Sequence, residues 1–289
     1  MALVGICSRR CSMLYLCVLW LIATASWAEE SRVRIALFHM KPVLGKMIHN
    51  TLQVQKAMRV ASNEGVDWMA TPELALTGYR FTETIGVDWI KPGPDRYVEA
   101  LQAEAKALGL ALLLGHLEQL SQRHDPRAEE RYNTLFVIDR NGEIVARHRK
   151  INTIPVAEDW SRKGHEATVA QLDGINVGLM ICADAWPSEH ALALREAGAQ
   201  LLINSATWPP GEHGPGDTWE KRSRETGLPV FVNNRTGKDF TLDTSKARSV
   251  LYYRGQELFS HASDTPALII LDWNISNGAL ERQRVIALD

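Results

Sequence analysis

The chain has 289 residues, 45% of them hydrophobic, and a formal net charge of −2 at pH 7. This composition excludes a disordered chain, and the mild acidity argues against a nucleic-acid binder, which normally carries a basic surface. A chain of this length can bury a substantial core as one large domain or two small ones.

Residues 1–28 are predicted to be a secretory signal peptide. Arg9 and Arg10 precede the uncharged apolar run 13–25, and small residues three places and one place before Glu29 form a cleavage site after Ala28. The apolar run is short for a membrane anchor, which needs roughly 20 residues, so we expect no stable membrane span after cleavage. Removal leaves the domain 29–289 with a net charge of −4, because the peptide carries two basic residues and no acidic ones.

The signal predicts a periplasmic or secreted protein. Ser8-Arg9-Arg10 weakly resembles a twin-arginine signal, but paired arginines are common in basic start regions, which favours ordinary secretion.

Apolar runs and amphipathic segments alternate along the rest of the chain and predict one α/β or α+β domain. In chain order the predictions are strand 32–38, helix 50–64, strand 66–70, helix 95–108, strand 110–117, a hairpin of strands 132–139 and 143–149, strand 174–182, helix 187–197, strand 201–204, helix 218–226, and strands 229–233, 249–253 and 267–272. Asn50 is a possible helix cap, and Asn141-Gly142 between two apolar runs is a strong hairpin signal. The polar or Gly/Pro-rich stretches 122–131 and 209–217 predict surface loops.

Cys182 is the one cysteine that remains after removal of the signal. An exported protein with a single cysteine has no internal disulfide, and its thiol is either buried and inert or kept for its reactivity. The chain contains no CxxC, HExxH, P-loop or GxSxG motif, and its nine histidines lack metal-ligand spacing. The sequence therefore predicts no metal site.

Four residues are candidates for catalysis, and each has a plainer alternative. Cys182 lies between a predicted strand and a predicted helix, where a nucleophile can be exposed near backbone N–H groups, although buried cysteines are common. Glu73 follows a strand among apolar residues, which suits a base with a raised pKa but also a loop carboxylate pointing to water. Lys150 ends the hairpin among cationic neighbours, where taken alone a solvated edge lysine is the more typical interpretation, and Glu158 alone indicates only a loop acid.

Taken together, these residues resemble the nitrilase superfamily of carbon–nitrogen hydrolases across nearly the whole mature chain. The resemblance is carried by Thr71-Pro72-Glu73, by Tyr132-Asn133-Thr134-Leu135 through Arg149-Lys150, by Gly178–Asp184, by Arg222–Val230 and by Asn233–Gly237. It implies a four-layer α-β-β-α sandwich, dimerised or further assembled through helical faces.

The resemblance also implies roles for the four residues. Cys182 matches the nucleophile, Glu73 the general base, Lys150 the residue that stabilises the oxyanion, and Glu158 a second glutamate that positions substrate and base. Such an enzyme needs no cofactor. The further candidates for the pocket are Trp160, Asp184, Trp186, Trp208 and Trp219. Ordinary packing is the alternative for Trp160, Trp208 and Trp219.

The chain departs from the family pattern in places. Ala-Asp after Cys182 replaces the Trp-Glu of typical nitrilases and disfavours a nitrile substrate, whereas the sequence around Trp186 is nearer to the amidase and N-carbamoyl-hydrolase branches. His39 stands where many members have glutamine.

The leading hypothesis is an exported amidohydrolase that cleaves a small linear amide through a thioester acyl-enzyme. The alternatives are an N-carbamoyl amino acid or amine hydrolase, an acyltransferase, and a degenerate scaffold that binds without turnover. The expected partners are a small amide or ureido substrate and a second copy of the chain.

Overall fold

The computed structural model describes residues 32–120 and 130–288. The predicted signal peptide and most of the predicted loop 122–131 lie outside the described residues. Within the described ranges, no helix is long and apolar enough to cross a membrane.

The described strands and helices alternate as the sequence predicts. In chain order they are β1 (Arg32–His39), α1 (Met47–Asn63), β2 (Trp68–Ala70), α2 (Thr82–Ile85), α3 (Arg96–Leu108), β3 (Ala111–Leu120), β4 (Glu130–Ile138), β5 (Ile144–Arg149), β6 (Val169–Leu172), β7 (Ile175–Ile181), α4 (Ser188–Glu196), β8 (Leu201–Ala206), α5 (Thr218–Thr226), β9 (Pro229–Asn234), β10 (Lys238–Asp239), β11 (Leu242–Asp243), β12 (Ser249–Tyr253), β13 (Gln256–His261), β14 (Ala267–Asn274) and β15 (Ala279–Ala287). Every predicted strand and helix is present, with ends shifted by a few residues. The stretch 209–217 is a loop, as predicted.

Three strands of the large sheets were missed by the sequence prediction, namely β6, β13 and β15. Each is an edge strand. Strand β6 has only four residues, and β13 and β15 are exposed or half-buried along their length, so these segments lack the continuous apolar run that marks a strand covered on both faces.

The prediction that Asn50 caps a helix is wrong, because α1 begins earlier, at Met47. The Asn50 side chain instead accepts a hydrogen bond from Val43 N–H at 2.8 Å and donates to the carbonyls of Val43 and Leu76, each at 2.8 Å. It therefore joins two loops rather than starting the helix.

Two mixed sheets form the centre of the fold. One has the strand order β15-β14-β1-β2-β3-β4-β5 and the other β13-β12-β9-β8-β7-β6. The period-two alternation of each strand divides its side chains between two layers. On β1, Ile35 and Leu37 join the core between the sheets, whereas Ala36 and Phe38 pack in the core that includes α1 and α3.

The second sheet is covered in the same way by α4 and α5. Gly178 on β7 lies against this helical layer, where an added Cβ would approach Leu194 Cβ to 3.2 Å. The expected four-layer α-β-β-α sandwich is therefore confirmed.

Strand direction brings the candidate residues to one edge of the sandwich. Strands β2 and β3 are parallel, and β5 runs the same way because it is antiparallel to β4, which is antiparallel to β3. Glu73 and Lys150 therefore follow strand ends on one side of the first sheet. In the second sheet, β7, β8 and β9 are parallel, and Cys182 follows β7.

Candidate active site

The structure places the four candidate catalytic residues in one buried cluster. Lys150 Nζ lies 2.6 Å from Glu73 Oε1 and 2.5 Å from Glu158 Oε1. The side chains of all three are inaccessible to solvent, and Cys182 is 4% exposed. The arrangement therefore differs from the plainer alternatives for Glu73 and Lys150, a solvated loop acid and an edge lysine.

Glu73 is held in a tight turn directly after β2. The turn is fastened to β3 by hydrogen bonds from Thr71 N–H to Leu113 O at 2.9 Å and from Ala75 N–H to Gly115 O at 2.8 Å. Gly115 allows this close approach, because an added Cβ would lie 2.2 Å from the carbonyl oxygen of the residue before Glu73. The carboxylate position thus depends on a glycine 42 residues away in sequence.

Cys182 begins a single 3-10 turn that ends at Ala185. Its φ of +48° is in the left-handed region, which is unfavourable for a residue with a side chain. Asn204 on β8 holds this peptide from both sides, since its side chain accepts from Cys182 N–H at 2.8 Å and donates to Cys182 O at 3.1 Å. The two hydrogen bonds therefore hold Cys182 in a conformation that its own backbone preference disfavours.

The charges of the cluster act on one another. Burial lowers the pKa of Lys150, but the Glu73 and Glu158 carboxylates outweigh it and raise this pKa well above its usual value. Lys150 is therefore a permanent cation. Two of its three N–H groups are used by the carboxylates, which leaves one donor for another ligand.

Glu73 and Cys182 both tend towards their neutral forms. Burial raises the pKa of Glu73 to about 7, although Lys150 opposes the change. Burial and then the Glu73 charge raise the pKa of Cys182 well above its usual range. At neutral pH, Cys182 is therefore a thiol, and it lies beside the Glu73 carboxyl group, which can take up and release a proton.

Three residues that the sequence prediction left without a role hold the two glutamates. Asn133 donates its side-chain amide to Glu73 Oε1 at 2.8 Å, Thr207 donates its N–H to Glu73 Oε2 at 3.1 Å, and the Tyr79 hydroxyl donates to Glu158 Oε1 at 2.7 Å. Asn133 lies in a motif quoted for the resemblance, and Tyr79 follows the motif that contains Glu73. Thr207 carries no sequence signal, because its backbone N–H acts.

Asp184, a candidate for the pocket, is fully buried, and both of its carboxylate oxygens are occupied by contacts within the protein. One of its oxygens accepts N–H groups from Ile151 at 3.0 Å and Asn152 at 2.7 Å. The other accepts Ile181 N–H at 3.0 Å and lies 2.9 Å from His148 Nε2. One buried carboxylate therefore joins the segment after Lys150 to the turn of Cys182.

We expect Asp184→Asn to lower the free energy of unfolding by about 1–3 kcal/mol. An amide offers one acceptor oxygen instead of two, so at least one buried N–H group loses its partner. Denaturant unfolding would measure the change. The exposed Asp159, whose carboxylate accepts Val156 N–H, provides the control Asp159→Asn, expected within about 0.5 kcal/mol of the wild type. Equal stability of the two variants would contradict this role.

The tryptophans flank the cluster in different ways. Trp208 is 5% exposed and follows Thr207, and its ring lies 5.8 Å from that of Trp186, which is 58% exposed. Trp208 and Trp219 line a cavity of about 220 Å³. Trp160 is half-buried, packs against Phe81 with ring centroids 5.0 Å apart, and lies two residues after Glu158.

His39 also has a structural position. Its Nδ1 lies 2.9 Å from Asn234 O and 2.9 Å from Ser249 Oγ. Burial lowers its pKa to about 4, so the ring is neutral at pH 7 and links the end of β1 to the second sheet.

Comparison with known proteins connects this geometry to a family. A model of the carbon–nitrogen hydrolase family matches residues 34–256. The glutamine-dependent NAD(+) synthetase of Thermotoga maritima is 28% identical over 185 residues, covering 62% of this chain and 30% of that protein. The 2-oxoglutaramate amidase of Bacillus subtilis is 26% identical over 146 residues, covering 50% of this chain and 53% of that protein.

The fold is shared with a solved amidase. The structure of the amidase from Nesterenkonia sp. AN1, of the nitrilase superfamily, aligns with a TM-score of 0.71 and 24% identity over 86% of this chain and 93% of that one. The chain spans less than half the length of the synthetases that it matches. The family match covers most of the chain, and the protein is therefore a member of the carbon–nitrogen hydrolase family.

Proposed function

We propose that the protein is a cysteine-dependent amidase that cleaves the terminal amide of a small linear substrate through a thioester intermediate. The observation that carries the proposal is the buried contact of Lys150 with both Glu73 and Glu158. This contact lies at the same edge of the sandwich as the turn of Cys182. A structural core gains little from such a cluster, because each buried charge must be compensated.

Acylation begins with proton transfer from the thiol to Glu73. The thiolate then attacks the amide carbon, and the carbonyl oxygen becomes negative. Lys150 has one N–H left to stabilise this oxygen, and it acts where water is excluded and electrostatic stabilisation is strong. The Cys182 N–H is held by Asn204, which leaves Lys150 as the principal donor in this proposal. Glu73 returns its proton to the departing nitrogen as the C–N bond breaks.

Deacylation reverses these roles. Glu73 takes a proton from water, which attacks the thioester carbon, and the C–S bond breaks. The proton passes to the sulfur, and the product is a carboxylic acid. Every proton is accounted for by one carboxylate, so the chain's own residues suffice for the reaction.

The names of the relatives support an amide at the end of a short carbon chain as the substrate. The synthetase relatives are described as glutamine-dependent, and another relative as a 2-oxoglutaramate amidase. In the Nesterenkonia amidase, the acetamide moiety of fluoroacetamide is covalently attached at the active-site cysteine. We propose simple aliphatic amides and ω-amides that carry a carboxylate as the two substrate classes.

The test is ammonia release by the purified protein on a matched panel. The panel contains acetamide and butyramide, glutamine and 2-oxoglutaramate, an N-carbamoyl amino acid, and a nitrile. Preference for either amide class supports the proposal, and preference for the carbamoyl compound assigns the alternative ureido activity. Hydroxamate formed from an amide and hydroxylamine faster than hydrolysis would favour an acyltransferase. A folded protein that turns over none of these compounds contradicts the proposed substrate class.

The pKa of Glu73 predicts the acid limb of the activity. Because the unprotonated carboxylate is the base, we expect kcat/KM to rise with pH and to level off above about 7. The hydrogen bond from Asn133 lowers this pKa, so Asn133→Ala should move the limb to higher pH. The measurement is kcat/KM from pH 5 to 9 for both proteins. A limb near pH 4.5, or one unaffected by the variant, would exclude Glu73 as the base.

We also propose that the protein is exported and self-associates. Export is supported by the features of residues 1–28, and self-association by the resemblance to a family that dimerises through helical faces. Mass spectrometry of the protein from its natural host should show an N-terminus at Glu29. A protein retained with Met1 would contradict export.

A further inference from the structure

A second cluster lies behind the turn of Cys182, on the side of α4. It consists of His148 on β5, Asp184 in the turn and His190 on α4. One ligand atom from each lies within 4.8 Å of the others, and all three residues are buried. The His148 and His190 rings are tilted by 33° with centroids 5.2 Å apart.

His190 is the unexplained member. It is 7% exposed, and neither ring nitrogen makes a hydrogen bond of normal geometry, although the backbone of Asp184 lies close to the ring. A buried imidazole normally satisfies both nitrogens, so this ring presents an unused lone pair to its surroundings. The neutral ring, with a free lone pair, is the form that binds a metal.

The other two members are already oriented as metal ligands are. His148 Nδ1 lies 3.2 Å from Thr168 Oγ1, which leaves Nε2 facing Asp184. The second oxygen of Asp184 is held by two backbone N–H groups, from Ile151 and Asn152. Such outer partners fix the direction of a ligand and are a usual part of metal sites.

We propose that His148, Asp184 and His190 bind one zinc ion. Two imidazoles and a carboxylate are ligands that Zn²⁺ accepts, and its fourth position can be taken by water. Ligand atoms about 2.1 Å from a tetrahedral ion lie roughly 3.4 Å apart. The His148–Asp184 distance of 2.9 Å must therefore open slightly. The His190 ring nitrogen, which lies within 4.8 Å of the other two ligand atoms, must reach the same spacing.

The sequence conceals this site because its ligands have no motif spacing. His148 lies on a strand of the first sheet, Asp184 lies 36 residues later in the turn that follows a strand of the second sheet, and His190 lies six residues further on. The ion would take no part in the proposed thioester chemistry. It would instead hold α4, the turn of Cys182 and the strand that leads to Lys150 in one arrangement.

The test uses the whole purified protein, freed of metal and titrated with Zn²⁺ or with Co²⁺ as a spectroscopic probe. We expect one ion per chain, the visible absorption of four-coordinate Co²⁺, and a higher Tm in the presence of Zn²⁺. His190→Phe keeps the ring volume but removes the ligand. We expect it to weaken binding by more than the roughly 10- to 100-fold that loss of an outer partner costs.

Two controls distinguish this site from other metal binding. His165→Ala removes an exposed histidine, and Cys182→Ala removes the thiol, and both should retain the ion. Circular dichroism would verify that each variant is folded, and His148→Gln provides a second loss of ligand. Absence of stoichiometric binding, binding that survives His190→Phe, or binding lost only in Cys182→Ala would each overturn the proposal.

Discussion

Replacing Cys182 with alanine is expected to lower kcat/KM for the preferred amide by at least about 10⁴-fold. Loss of a covalent nucleophile removes the acyl-enzyme route, and the remaining groups provide only binding and oxyanion stabilisation. The fold should tolerate the change, because a buried free cysteine packs as a small apolar side chain. Ammonia release at saturating and low substrate, together with denaturant unfolding, would measure both effects.

Two further measurements make the Cys182 result decisive. Intact-protein mass spectrometry during turnover should show the wild type with the acyl group attached and Cys182→Ala without it. Cys182→Ser provides a closely matched nucleophile with a less acidic and less nucleophilic hydroxyl, and we expect it to be acylated slowly. Turnover by folded Cys182→Ala within 10-fold of the wild type would refute the thioester mechanism.

The second large effect is expected for Lys150→Met. Methionine has a similar length, but it leaves the Glu73 and Glu158 carboxylates buried without a cation. Removing one partner of a buried ion pair costs about 3–5 kcal/mol of stability. Loss of an oxyanion donor costs about 10²–10³-fold in kcat. Thermal unfolding and steady-state kinetics would measure the two losses separately.

The stability of Lys150→Met should depend on pH in a defined direction. Burial already raises the pKa of Glu73 to about 7, and without the Lys150 cation this pKa rises further above its value in the unfolded chain. A group with a raised folded pKa stabilises the folded state below its unfolded pKa, and this contribution is lost as pH rises through the folded pKa. The variant should therefore lose less stability relative to the wild type at pH 5 than at pH 8. A constant difference between pH 5 and 8 would contradict the electrostatic explanation.

A double variant separates charge compensation from catalysis. Lys150→Met with Glu158→Gln removes one positive and one negative charge, and the Tyr79 hydroxyl can still donate to the glutamine oxygen. We expect part of the lost stability to return, while activity stays low because the oxyanion donor is missing. Recovery of activity would show that Lys150 acts by balancing charge rather than by contacting the substrate.

The sequence and the structure agree where local patterns carry the information. Alternating apolar runs predicted the strands and helices that are covered on both sides, because burial on both faces requires uninterrupted apolar residues. Strands β6, β13 and β15 escaped prediction because β6 has only four residues and because β13 and β15 are exposed or half-buried along their length. The edge strand β5 was found because the Asn141-Gly142 turn marks its start. Asn50 was misread as a cap, since the contacts that place it inside α1 come from the loops at Val43 and Leu76.

The sequence alone determined the family, the order of the elements, and Glu73, Lys150, Cys182 and Glu158 as the candidate residues. These follow from short motifs and from the positions of polar residues at strand ends. The tertiary structure decided which groups surround them. These are the Asn133 and Thr207 donors to Glu73, the Asp184 carboxylate that joins the segment after Lys150 to the turn of Cys182, and the His148–His190 pair. These contacts join residues tens to more than a hundred positions apart, and their distances are decided by how two twisted sheets pack together, which no local pattern records.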